Sequence, residues 1–160
     1  MWTRNLVIGV VVVGFALSVS PALGQSRDPW IGTWKLNPAK SKYNPGFAPK
    51  SSTLTMVAAD GGVKQIVETV PGTFGLSTRS EVTVRFNGQD LPVRGNPNAD
   101  TSAYTKVDGR TYVVISKKDG KVTLTSQVVI SADGKTRTVI QTGTNALGQK
   151  VNNTIVYDRQ

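Results

Sequence analysis

Neither histidine nor cysteine occurs among the 160 residues of the chain, which removes the side chains on which most protein catalysis relies. Ser-His-Asp and Cys-His mechanisms need an imidazole base. Zinc and copper sites draw chiefly on imidazole and thiolate. Carboxylates are the acid–base groups that remain, and there are ten. Seven of them (Asp60, Asp90, Asp100, Asp108, Asp119, Asp133 and Asp158) stand in predicted turns, loops or the terminus, where an aspartate side chain bonds its own backbone. Glu68 and Glu81 are the only carboxylates within predicted strands, away from their ends. A glycosidase would hold two such groups about 5 Å apart, or about 6.5–9.5 Å apart; on strands with one wet face these two are expected to meet solvent instead. The chain has no Gly-x-x-x-x-Gly-Lys-Ser/Thr, Gly-x-Gly-x-x-Gly or EF-hand loop, so no phosphate cradle or calcium loop is expected. The expectation is a protein with no catalytic residue, no metal ligand and no cofactor.

Binding requires a framework, and the framework begins after an N-terminal segment of a different kind. Arg4 precedes an apolar run of 14 residues, Leu6 to Val19, followed by Pro21 and Ala22-Leu23-Gly24. That order describes a secretory signal peptide, and the run falls short of the roughly 20 residues that span a bilayer core. Cleavage near Gly24 is expected, leaving 136 residues, 25–160, as one exported domain, periplasmic or released, with no membrane span. Without cysteine it has no disulfide, and its fold must rest on burial and backbone pairing.

The expected mature chain carries 18 basic and 10 acidic residues, a net charge of +8. Such a balance attracts anions in general. The charges are scattered, however, and the densest cluster, Lys117, Lys118 and Lys121, surrounds a single turn without interleaved aromatics. A solvated surface is expected, not a nucleic-acid site.

From Ile31 onward, Asp60-Gly61-Gly62, Asn87-Gly88, Asp108-Gly109, Asp119-Gly120 and Asp133-Gly134 fall between segments rich in Val, Ile, Thr and aromatics. These pairs supply the positive φ angles of tight hairpin turns. The period-2 rule gives about ten strands, at 31–37, 52–58, 63–70, 77–86, 90–95, 101–107, 111–117, 121–130, 135–143 and 150–158. Alternation is clearest in Val82-Val84-Phe86 and in Val122-Leu124 with Val128-Ile130, each implying one dry face and one wet face. No segment has the 3.6-residue period of an amphipathic helix. The expected fold class is all-β, a single antiparallel up-and-down barrel, whose closure would remove exposed edges. The proline-marked segments 37–50 and 95–100 are expected as loops over the barrel ends.

The most specific residues are Asp28-Pro29-Trp30-Ile31-Gly32-Thr33-Trp34-Lys35-Leu36. Gly-x-Trp followed by Lys-Leu at the first strand resembles the N-terminal signature of the lipocalin and fatty-acid-binding-protein (calycin) superfamily. Thr154 to Asp158 is similar to the last strand of fatty-acid-binding proteins, although Ile155 stands where they carry a carboxylate-holding arginine. The resemblance implies a calycin-like barrel in which Gly32 lets the strand bend and Trp34 closes one end.

Two functional readings follow. The first is a non-catalytic carrier of a small hydrophobic or amphipathic molecule, with Trp34, Phe86, Tyr112, Leu124, Arg137 and Tyr157 as candidate ligand-binding residues. Arg137 points inward if Val139 does, and outward if Ile140 is the buried neighbour; since an unpaired buried charge is costly, water is expected. The second is an extracytoplasmic interaction module with a filled core, whose basic surface contacts anionic envelope components.

Overall fold

The structure, a computed structural model, describes residues 28–73 and 75–160. The expected leader, residues 1–24, lies outside the described residues. Ten antiparallel strands follow one another: β1 (Gly32–Leu36), β2 (Ser51–Ala59), β3 (Gly62–Val70), β4 (Thr78–Val84), β5 (Asn87–Pro92), β6 (Thr101–Lys106), β7 (Thr111–Lys118), β8 (Lys121–Ile130), β9 (Thr136–Thr144) and β10 (Lys150–Arg159). The described helical content is one 3-10 turn, Pro38–Lys40. No helix among the described residues is long and apolar enough to cross a membrane.

The strands form one sheet in the order β4-β3-β2-β1-β10-β9-β8-β7-β6-β5. Each consecutive pair is a neighbour except β4 and β5, and the sheet curls so that β1 meets β10, with Trp34 opposite Arg159 and Leu36 opposite Tyr157. The result is a nearly closed up-and-down barrel, consistent with a calycin-like fold. Full closure, expected from the sequence, is not reached. Asn87-Gly88 does not turn a hairpin between β4 and β5: Asn87 pairs with Thr105 of β6, and the register shifts between Asn87 and Asp90. The positive φ of Gly88, 75°, is used in a bulge, where an extra residue needs it just as a tight turn would. One two-bond bridge spans the opening, with Glu81 N–H donating to Arg94 O at 2.9 Å and Arg94 N–H to Glu81 O at 3.0 Å. Charged Arg79 and Glu81 on β4 and Pro92 on β5 blunt the two edges.

A second difference concerns segment 37–50. It does not lie as a loop over a barrel end but runs beside β10, continuing on that strand the pairing that β1 begins. Asn37 N–H donates to Val156 O at 2.8 Å, Lys42 and Thr154 form an antiparallel bridge, and Asn152 N–H donates to Asn44 O at 2.7 Å. Val156 is buried although it alternates with the inward residues Ile155 and Tyr157, and this segment bonds its backbone on both sides, Asn37 N–H donating to Val156 O at 2.8 Å and Val156 N–H to Ser41 Oγ at 2.9 Å.

The inward positions build one core. Trp30, Trp34, Met56, Val84, Tyr112, Val128 and Ile130 are fully buried, and Trp30, Phe86, Tyr104 and Tyr112 pack mostly edge-on, with centroids 4.7–6.4 Å apart, the arrangement that ring quadrupoles favour. On β8 the expected alternation fails at one place. Val122 is exposed while Leu124, Ser126, Val128 and Ile130 are buried, because a register shift at Ser116/Lys117 re-aims the end of the β7–β8 hairpin.

The seam between β1 and β10 is locked by Arg159. Its guanidinium stacks 4.1 Å from the Trp34 ring centroid. It also donates to three backbone carbonyls, those of Pro29 (2.6 Å), Ile31 (2.7 Å) and Gly134 (2.6 Å). Gly32 makes room for this: at φ 140°, a Cβ there would stand 2.6 Å from Arg159 Nη1. Arg159→Met keeps the stem but leaves three carbonyls without their charged donor. Such bonds contribute about 1.5–3 kcal/mol each at most, and water can reach part of the site. A loss of about 2 kcal/mol is expected, read as a lowered urea midpoint at unchanged slope.

Candidate functional site

Beneath the mouth of the barrel lies an interior cavity of about 190 Å³. Its position follows from the register of β8, β9 and β10. Arg137 stands opposite Ile130 and Tyr157; two residues along, Val139 stands opposite Val128 and Ile155; two further, Gln141 stands opposite Ser126 and Asn153. Every second residue of β9 therefore faces the interior, and from Arg137 to Gln141 the strand advances about 13 Å at 3.3 Å per residue.

Arg137 is 3% exposed and lines the cavity. The expectation that it faces water is therefore overturned. Val139 and Ile140 are both apolar, so β9 alone does not choose a face. Its neighbours do: Val139 meets Val128 and Ile155 inside, whereas Ile140 is 45% exposed beside Gln127 and Thr154. Burying Val139 in the core carries Arg137 inward with it.

The surroundings of the guanidinium are unusual for an internal charge. Nη2 donates to the Tyr112 hydroxyl and Nη1 contacts Met56 Sδ at 3.4 Å. Nε is buried without a partner, and among the described residues no carboxylate pairs with the group. Burial pushes the Tyr112 phenol above its usual range, with Arg137 pulling it back. At neutral pH the phenol stays protonated and supplies no counter-charge. An uncompensated internal cation is costly, and it survives in a core that otherwise closes well.

Above it the lining turns polar. Ser80, Ser102, Ser116, Ser126, Gln65 and Gln141 reach the cavity from six strands. Several are joined in pairs: Ser102 and Ser116 at 3.1 Å, Gln141 Nε2 and Ser126 Oγ at 3.4 Å, and Tyr157 and Ser52 hydroxyls at 3.3 Å. Gln65 Nε2 donates to the Tyr104 hydroxyl at 3.3 Å, while its Oε1 is buried without a partner. The loop 95–100 lies across this end. Asn96 borders the cavity, Asn98 O accepts from Thr123 Oγ1 at 2.8 Å, Asn98 Oδ1 accepts from Ala146 N–H at 3.0 Å, and Asp100 Oδ2 accepts from Asp119 N–H at 2.9 Å. Two hairpins, β7–β8 and β9–β10, thus hold the loop in place.

Of the sequence candidates, Arg137 and Tyr157 border the cavity, and Tyr112 stands behind Arg137 as its hydroxyl partner. Trp34 is at the closed end, its indole N–H donating to Trp30 O at 3.2 Å; it fills core and does not border the cavity. Phe86 is packed against Trp30 and Tyr112, and Leu124 is buried outside the main core cluster; neither borders the cavity. The serines and glutamines were not anticipated. A signal for them existed: Ser80, Ser102, Ser116 and Ser126 each stand two residues from an inward Val82, Tyr104, Val114 or Val128.

Glu68 and Glu81 are on the outside, as expected of wet-face residues. Glu68 pairs with Arg79, and Glu81 with Lys64 at 2.7 Å. The Lys64 hydrogen bond holds the Glu81 carboxyl below the usual carboxylate range. A depression of about 350 Å³ outside the β4–β5 opening includes Glu81, Arg85 and Arg94. Its charges are largely engaged, Glu81 with Lys64 and Arg85 Nε with Gly61 O at 3.1 Å, so the interior cavity has the stronger unmet chemistry. Set against known proteins, the chain matches no family model and no curated sequence.

Proposed function

We propose that the protein is a non-catalytic, lipocalin-like carrier that holds a small amphipathic molecule inside the barrel, with an acidic group of the ligand seated on Arg137. Export with loss of residues 1–24 belongs to the same reading. The single observation that carries it is the buried Arg137 guanidinium lining the cavity with no carboxylate partner among the described residues. A ligand carboxylate there would form the charge-assisted, fork-like contact for which arginine is built. Val82, Val93, Val139 and Ile155 supply apolar wall beside it, the usual make-up of a pocket that orients its ligand by a few polar groups. The cavity supports this reading over the filled-core module.

The test is organic extraction of the purified protein followed by mass spectrometry, with titration of 1-anilinonaphthalene-8-sulfonate as the fluorescent anionic probe. Extraction should yield an organic acid, and the probe should be displaced by it. Arg137→Met is expected to weaken probe binding about 10- to 150-fold, the equivalent of the 1.5–3 kcal/mol attributed to a charged hydrogen bond. A probe that binds the variant equally well would place the ligand elsewhere.

A further inference from the structure

The side chains of Arg137 and Gln65 line the same small cavity, and each carries a buried atom without a partner among the described residues: Arg137 Nε, a donor, and Gln65 Oε1, an acceptor. Both are exceptions of the kind that a folded core rarely tolerates. Resting on the carrier reading above, we infer that the ligand class is a short, hydroxylated carboxylic acid and not a long-chain lipid. The carboxylate meets Arg137, and a ligand hydroxyl meets the Gln65 amide.

Size supports this independently of polarity. The cavity measures about 190 Å³. It is smaller than the roughly 300 Å³ at which pockets for drug-sized ligands begin. A long acyl chain overfills it, and the end beyond Arg137 is shut by Trp34, Met56 and Tyr112, all fully buried.

The lining supplies the second argument. A barrel selected to solvate an acyl chain would turn aliphatic side chains inward along its whole height. Here Ser80, Ser102, Ser116 and Ser126 face the cavity from four strands. Ser102 and Ser126 are buried and bonded to Ser116 and Gln141; a buried hydroxyl needs such a partner, and apolar residues at these positions would fill a core without one. Serines donate and accept by rotating one bond, so they match a ligand bearing several hydroxyls. Gln65, bonded to Tyr104, adds a polar amide to the same wall.

Calorimetric titration of the purified protein with 4-hydroxybenzoate, D-gluconate, hexanoate and palmitate tests the assignment, using wild type, Arg137→Met and Gln65→Leu. At least one of the two hydroxylated acids should bind at least tenfold more tightly than hexanoate and palmitate. Arg137→Met should abolish that binding, and Gln65→Leu should reduce the hydroxylated acid to the level of hexanoate while leaving hexanoate unchanged. Thermal melts of both variants check that they are folded. Arg137-dependent binding of palmitate or hexanoate at equal or higher affinity would overturn the hydroxylated-acid assignment and leave the carrier reading standing. Retention of the hydroxyl preference in Gln65→Leu would overturn the role given to Gln65. No heat and no competition with any of the four acids would overturn the carrier reading, and the assignment with it.

Discussion

The double replacement Arg137→Met with Tyr112→Phe is expected to raise stability by about 1–4 kcal/mol, taking as guide the range for buried ion pairs replaced by apolar residues of similar volume, while abolishing ligand binding. The guanidinium is 3% exposed among Met56, Tyr112 and Ile130, and its charge has no partner carboxylate among the described residues. Methionine fills the same elongated space with a flexible apolar side chain. The second change is needed because Arg137→Met alone strands the Tyr112 hydroxyl, at a cost of about 1–3 kcal/mol, and the two effects would nearly cancel. Urea unfolding of wild type, both single variants and the double variant closes the cycle. A double variant less stable than wild type would mean that the arginine is there to hold the core together, and the argument for a ligand would lose its footing.

The second large effect is expected at the closed end. Trp34→Ala should cost about 3–5 kcal/mol, the span observed for deletion of a large buried aromatic. The side chain is fully buried, its indole N–H has the Trp30 carbonyl as partner, and its ring is the platform for Arg159. A domain of ordinary stability has only about 5–15 kcal/mol in total. The chain contains no cysteine that could cross-link it. Leu147→Ala is the control: at 83% exposure it should change stability by about 0.5 kcal/mol or less. Equal midpoints for the two variants would show that the seam does not depend on Trp34.

The barrel itself was legible because its signals are local. Val82 and Val84 alternate with Glu81 and Thr83 on β4, and Asp119-Gly120 and Asp133-Gly134 mark turns where the structure has them. Asn87-Gly88 misled because the same backbone angle serves a bulge as well as a hairpin, and only the pairing partner, Thr105, distinguishes them. Arg137 misled for a related reason. Its face depends on which of two adjacent apolar residues, Val139 or Ile140, is buried, and that is decided by β8 and β10, not by β9. Desolvation keeps most arginines in water, and at Arg137 the fold tolerates the cost of burial. Functional sites are where such rules are expected to break. The serine lining was hidden because a serine reads as surface until the valine two residues away fixes its direction. The 14-residue apolar run after Arg4 and the proposed cleavage at Gly24 rest on sequence alone.

Placing Trp34 against Arg159 has a consequence for how the molecule comes into being. Every other neighbouring pair of strands is adjacent in the chain and can zip as soon as its hairpin has been synthesised, whereas the β1–β10 seam waits until nearly the whole polypeptide is available. Contacts of such wide separation are the slow ones in folding. Until they form, β1 is held by β2 alone and β10 by β9 alone, and the apolar side chains that the seam encloses stay open to water, the condition in which an incompletely folded chain is prone to aggregate.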